Sequence, residues 1–228
     1  MLIAEDLLLL AYADEARGPV GGVSQLEHAL VGALLVELVI RERVDVTTVG
    51  AEGESGRVSV RDDTPTKVAP LDDALARLST LEGAKPKDVL RSLAGAGLAE
   101  RLLTGLVERG LLRKEHGHVL GLAPAPCWPA EDSRHEEGVK DQLRRVLVDG
   151  EYPDERTAVL IALLAHGTAL RHVAGREHAD VADRRAKEIA QGSWAGDSLR
   201  KSVEEIVTAA LLAPTILLAS SPAFVRRW

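Results

Sequence analysis

Between Gln25 and Arg41 the chain is apolar in every direction that a helix can face: Leu26, Ala29, Leu30, Ala33, Leu34, Leu35, Val36, Leu38, Val39 and Ile40 leave no polar stripe. A surface helix keeps one face for water, so a helix apolar round its circumference has to run through the middle of a fold and be covered by other elements. Its interior charge, Glu37, has Arg41 one turn on to answer it. We read that pair as structural, because buried carboxylates are almost always partnered. Ser24 with Glu27 three residues later forms a capping box that starts this helix.

The covering elements follow from the rest of the pattern. Aromatic residues are only 3% of the 228, so the core is built from Leu, Val, Ala and Ile, a composition that favours helix over sheet. Helices are expected at residues 2–12, 25–41, 71 to near 83, 85 to about 93, 98–108, 134–148, 153–172, 178–191 and 197–212. Residues 44–49 and 57–61 alternate at period two around three glycines and read as a small hairpin. A second hairpin is expected at residues 111–122, with strands Leu111-Leu112-Arg113 and Val119-Leu120 around a turn at Glu115-His116-Gly117-His118. Pro124, Pro126 and Pro129 then read as a stiff linker. The expected fold is mainly α: a single compact helical domain over residues 1–213 with two small β-hairpins, followed by an apolar tail over 214–228. A domain of this size buries roughly 70% of its unfolded surface without disulfides, and one cysteine, Cys127, excludes a disulfide framework.

Several functional classes drop out. A net charge of −7 argues against nucleic acid as a partner. The start of the chain carries Glu5 and Asp6 where a secretory signal has basic residues. The longest nearly apolar run, Val207 to Ala219, is 13 residues, against ~20 for a bilayer span. The expected location is therefore the cytoplasm. No Walker loop, HExxH, GxSxG or CxxC occurs, and no catalytic residue or cofactor is expected. His116 and His118 stand two apart without a third metal ligand, and Cys127 has no neighbour to lower its pKa. The helix at 98–108 followed by a hairpin has the outline of a winged helix, but its outward residues, Glu100, Arg101, Glu108 and Arg109, sum to no net charge. Of the 28 cations 21 are Arg, a bias we attribute to a GC-rich bacterial genome.

Four segments, in this order, resemble the Golgi phosphoprotein 3 family: "LIAEDLLLLAYADE" at 2–15, "LVGALLVELVIRERV" at 30–44, "ERLLTGLVERGLL" at 100–112 and "DERTAVLIALLAH" at 154–166. The resemblance covers about residues 1 to 212. It implies a compact helical fold with a projecting hairpin. It also implies a peripheral membrane protein that binds phosphatidylinositol 4-phosphate and, in eukaryotes, links Golgi enzymes to coat and cytoskeleton. The family grips the headgroup with one Trp and three Arg; those positions fall here on Gly22, Val31, Ala96 and Ala99, so the headgroup-binding residues are not assigned. Charge-assisted forks from Arg carry phosphate recognition, at ~1.5–3 kcal/mol per contact. Arg101 and Arg109 are cations near those positions.

The expected function is a non-enzymatic, cytoplasmic adaptor that sits peripherally on the inner face of a membrane and binds phosphoinositide or another anionic lipid. A soluble winged-helix-like regulatory or scaffold protein is the alternative. Two contacts are expected. One is the hairpin, with His116, His118, Val119 and Leu120, as a membrane or homo-oligomer contact. The other is the tail, where Ile216, Leu217, Phe224 and Trp228 would enter the headgroup boundary while Arg226 and Arg227 meet anionic lipid. No metal is expected, and a protein partner is left open.

Overall fold

The computed structural model describes residues 1–12, 23–47, 56–95, 97–118, 124–165, 169–192 and 197–219. In chain order they form α1 (Ile3–Tyr12), α2 (Val23–Ile40), β1 (Val44–Thr47), β2 (Arg57–Val60), α3 (Ala69–Leu78), α4 (Pro86–Leu93) and α5 (Leu98–Glu108). There follow β3 (Glu115–His118), β4 (Pro124–Cys127), α6 (Arg134–Leu147), α7 (Glu155–Leu164), α8 (Ala169–Ala174), α9 (Ala179–Gln191) and α10 (Asp197–Ala219). The chain is mainly α, with two two-stranded antiparallel sheets among the described residues.

As its apolar circumference requires, α2 is the axis of the molecule: α1, α3, α4, α5, α7 and α10 all pack on it. Leu30, Val31, Ala33, Leu35, Val36 and Leu38 are fully buried there. Helix α10 approaches closely at Gly32, where a Cβ would lie 3.1 Å from the Cβ of Ala210. Helix α1 is also enclosed: every residue from Ile3 to Ala11 is buried, the acids Glu5 and Asp6 included.

Two helices end in the same six-residue motif. At α5 the N–H of Gly110 reaches Val107 O and that of Leu111 reaches Leu106 O, with Gly110 at φ +71°. At α2 the N–H of Glu42 reaches Val39 O and that of Arg43 reaches Leu38 O, but the left-handed position, φ +57°, is held by Glu42. This is the Schellman pattern, in which glycine usually takes that place.

The first hairpin pairs Val44 with Val60 and Val46 with Val58. Its valines Val44, Val46 and Val58 face the core, as period-two alternation demands. The outer edge of β2 is covered at Val58 by backbone bonds to Gly83 and Ala84, which leaves less edge open for pairing. Ser202 Oγ donates to Val46 O at 3.2 Å and ties α10 to this sheet.

Four expectations need correction. Helix α2 starts at Val23, so Ser24 lies within it rather than capping it. The helix expected at 153–172 is two: α7 begins after Asp154, whose Oδ1 accepts from Thr157 N at 2.7 Å, and α8 is separate. An N-cap residue is extended, which places Pro153 outside the helix. Helix α10 runs on through Pro214 to Ala219, beyond the stop expected at Leu212. Proline removes one hydrogen bond from a helix interior, and the backbone of α10 nevertheless continues as helix on both sides of Pro214.

The fourth correction concerns the second hairpin. The expected turn at Glu115–His118 is strand β3, and the supposed proline linker is its partner β4, with His116 opposite Pro126 and His118 opposite Pro124. The ladder continues downward: Arg113 N donates to Pro129 O, Glu131 N to Leu111 O, and Leu112 bridges Ala130. The buried side chains Leu112 and Trp128, one in each arm, fix this longer register, since slipping by one residue would turn them outward. Pro124 and Pro126 stand two apart, so their missing N–H groups fall on the same, unpaired side of an edge strand. Lys114 Nζ lies 5.0 Å from the Trp128 ring centroid, a cation–π contact at the base of the arm.

Candidate functional site

Helices α2, α3, α4 and α5 meet at a shallow groove of about 20 Å³. Val31, Leu34, Leu93 and Leu98 make its floor, and Asp73, Arg77 and Arg101 stand on its lining. Val31, one of the positions that the resemblance assigns to the headgroup grip, lines this groove and is fully buried; Ala99, another, is half-buried on α5 and is not part of the groove lining. Gly22 and Ala96 lie outside the described residues. Glu27 does not close a capping box on Ser24. Its Oε1 accepts from Ala99 N at 3.3 Å, so it serves the first turn of α5, where a negative charge is favoured by the helix dipole. Its Oε2 is buried without a partner among the described residues. The Tyr12 hydroxyl is pushed up from the ordinary range, chiefly by burial and secondarily by the Glu27 charge.

A second concentration of charge lies at the start of α1. Three carboxylates are buried there, Glu5 at 6%, Asp6 at 4% and Glu37 at 4% exposure, and each is answered. Glu5 Oε2 accepts from Leu2 N at 2.8 Å, and its Oε1 takes Arg109 Nη2 at 2.6 Å. Glu37 Oε1 takes Arg41 Nη2 at 3.0 Å, as expected. Its Oε2 also accepts from Ile3 N at 3.0 Å and lies 3.3 Å from Arg156 Nη1. Arg156 goes on to Asp6 Oδ2 (Nη2, 2.9 Å) and to Met1 O (2.6 Å). Arg109 is therefore tied to Glu5 rather than standing ready for a phosphate. Buried charges persist only when geometry and hydrogen bonds compensate their lost hydration, and the network meets that requirement.

Next to it a cleft of about 310 Å³ opens between α6 and α7. Val139, Leu143 and Leu160 give it apolar walls, and Asp6, His135 and Arg156 form its polar end. His135 Nε2 is 2.7 Å from Asp6 Oδ1. At the mouth Asp132 clamps Arg134, Oδ2 to Nη2 at 2.6 Å. The Arg134 side chain and backbone N–H together hold the Asp132 carboxyl well below its usual range, down to about 2.

The contacts expected from the sequence do not converge on either place. His116 and His118 lie in β3 of the hairpin, while Val119 and Leu120 lie outside the described residues. Ile216 and Leu217 fall within α10, and Phe224, Arg226, Arg227 and Trp228 lie outside the described residues. Among the described residues no group of three or more His, Cys, Asp or Glu is arranged to hold a metal, and no helix is long and apolar enough to cross a membrane. Sequence reasoning missed Arg77, His135 and Arg156. Only Arg156 left a signal, as the one cation in α7, just ahead of its apolar run.

The model of the Golgi phosphoprotein 3 (GPP34) family matches residues 3–206, from α1 into α10. The chain belongs to this family. A curated relative, Vacuolar protein sorting-associated protein 74 of Eremothecium gossypii, is 27% identical over 168 residues, covering 65% of this chain and 49% of that protein. The chain thus spans about half the length of the curated relative it matches. The family match takes in the groove, the buried network, the cleft and the hairpin, and stops before the apolar tail.

Proposed function

We propose that this Golgi phosphoprotein 3 family protein is a non-enzymatic adaptor that docks peripherally on anionic lipid at the inner, cytoplasmic face of a membrane. The observation that carries the reading is the groove at Val31. Arg77 from α3 and Arg101 from α5 line one small depression together with Val31, one of the positions to which the resemblance assigns the headgroup grip. The lining of the groove brings two guanidinium groups together with the Asp73 carboxylate, on a chain that is acidic as a whole. Guanidinium is the side chain best matched to a phosphate. Ile216, Leu217, Phe224, Arg226, Arg227 and Trp228 of the tail supply a second, interfacial contact, and the hairpin with His116, His118, Val119 and Leu120 serves contact between copies of the chain.

Co-sedimentation with vesicles of phosphatidylcholine alone, with added phosphatidylglycerol and with added phosphatidylinositol 4-phosphate tests the reading. The expected result is binding that needs the anionic lipid, weakens with salt and falls with Arg77→Ala plus Arg101→Ala. A chain that binds none of the three vesicles overturns it and leaves the soluble scaffold.

A further inference from the structure

The arms of the second hairpin keep one register along their length, and that register fixes where their unused backbone groups point. Glu131 N donates to Leu111 O and Arg113 N to Pro129 O. Glu115 opposite Cys127 and Gly117 opposite Ala125 continue the same count. In an antiparallel pair, alternate residues turn both backbone groups toward the partner strand, and those between turn them away. The residues between are Lys114, His116 and His118 on one arm, and Pro124 and Pro126 on the other. The two outer edges are therefore unlike. Strand β4 has no N–H to offer at either proline. The β3 arm offers N–H and C=O at all three outward residues, and among the described residues no third strand pairs with it.

We propose that β3 is the edge through which two copies of this chain join, antiparallel about a two-fold axis at His116. The proposal rests on the reading that the hairpin serves contact between copies, and it names the edge, the register and the number of copies. An open edge with donors and acceptors is a template for another strand. A hairpin of two strands is marginal in water, and additional strands stabilise it. On a second copy the same edge is self-complementary: His116 meets its own counterpart, and Lys114 meets His118 of the other copy.

The charges choose the axis. An axis at Lys114 or at Glu115 would set two like charges directly opposite, which destabilises a strand pair. An axis at His116 engages all three outward residues of each copy and sets Glu115 opposite Gly117 of the other. The resulting sheet, in the order β4-β3-β3-β4, ends on both sides at a proline-blocked edge. Assembly therefore closes at two, as an isologous two-fold contact does.

Sedimentation velocity of the full chain over a concentration series tests the assignment. The expected result is a monomer–dimer equilibrium with no larger species. His116→Pro takes away an N–H that the hairpin itself does not use, so it weakens the dimer roughly tenfold or more with the melting temperature held. Gly117→Lys, facing Glu115 of the other copy, tightens the dimer about threefold, and Gly117→Glu loosens it about threefold. A chain that stays monomeric, assemblies that keep growing with concentration, or a His116→Pro chain that dimerises like the parent overturns the proposal. Should His116→Pro fail to fold, the Gly117 variants decide: opposite shifts uphold the register, and shifts of one sign overturn it. Deletion of residues 116–119 separates this failure from failure of the hairpin reading. Association that is lost on deletion but indifferent to His116→Pro and the Gly117 variants overturns the edge alone. Association that survives the deletion overturns the hairpin reading as well.

Discussion

Arg156 joins two buried carboxylates that belong to different helices, Asp6 on α1 and Glu37 on α2. Arg41 meets Glu37 alone, from a position 39% exposed to water. The two cations should differ sharply in what their removal costs. Arg156→Met leaves Asp6 and Glu37 short of a partner inside the protein, which costs ~3–5 kcal/mol. Arg41→Ala removes a half-exposed, i,i+4 partner worth ~0.2–1 kcal/mol. Urea denaturation of both variants checks the order, and equal losses would show that the network is not centred on Arg156. The i,i+4 half of this network was legible because helical spacing is written in the sequence. The half that joins Ile3, Glu37 and Arg156 was not, because contacts 34 and 119 residues apart depend on how three helices pack. Asp132 gives a pH-dependent counterpart. Its carboxyl is lowered to about 2 by Arg134, so its contribution is present above about pH 4 and disappears as the pH falls through about 2. Asp132→Asn should melt below the parent at neutral pH and converge with it on acidification. A gap in melting temperature that persists at pH 2 would contradict this.

Among elements, helix periods and the first hairpin were readable, whereas several helix ends and the register of the second hairpin were not. The apolar circumference of α2 identified the central helix before any contact was known. The hairpin failed because Glu115-His116-Gly117-His118 looks like a turn locally, whereas Leu112 and Trp128, both buried, set the pairing from outside it. Two element-scale predictions follow from the packing of α2. Glu42 occupies the left-handed place after the helix, a conformation that costs a residue with a Cβ roughly 1–2 kcal/mol. Glu42→Gly should accordingly stabilise the protein by ~1 kcal/mol, and a loss on thermal melting would mean that the side chain has a role of its own. Gly32 faces Ala210 across the contact of α2 with α10, so Gly32→Val overpacks that interface and should cost ~1–3 kcal/mol. A Gly32→Val chain with unchanged denaturation would mean that α10 can move away from α2 freely.

For the whole molecule the proposed function requires an acidic chain, net −7, to hold an anionic surface. General attraction is absent, so local cations and apolar insertion have to act together; one weak membrane signal gives only reversible binding, and stable attachment takes two. In the proposed function the groove is one signal and the tail after Ala213 the other. The backbone of α10 continues as helix to Ala219, through Ile216 and Leu217, and Arg226, Arg227 and Trp228 follow in the sequence. Each arginine near an anionic leaflet contributes ~1 kcal/mol, so replacing Arg226 and Arg227 by Ser should weaken binding to phosphatidylglycerol vesicles about thirtyfold at low salt, a tenfold change being 1.4 kcal/mol. Screening shrinks that ratio as salt is raised. Truncation after Ala213 removes the apolar side chains as well, so its loss should exceed that of the double Ser variant at every salt concentration. A truncated chain that binds as well as the double Ser variant would assign the tail's contribution to charge alone and leave the groove as the only other anchor.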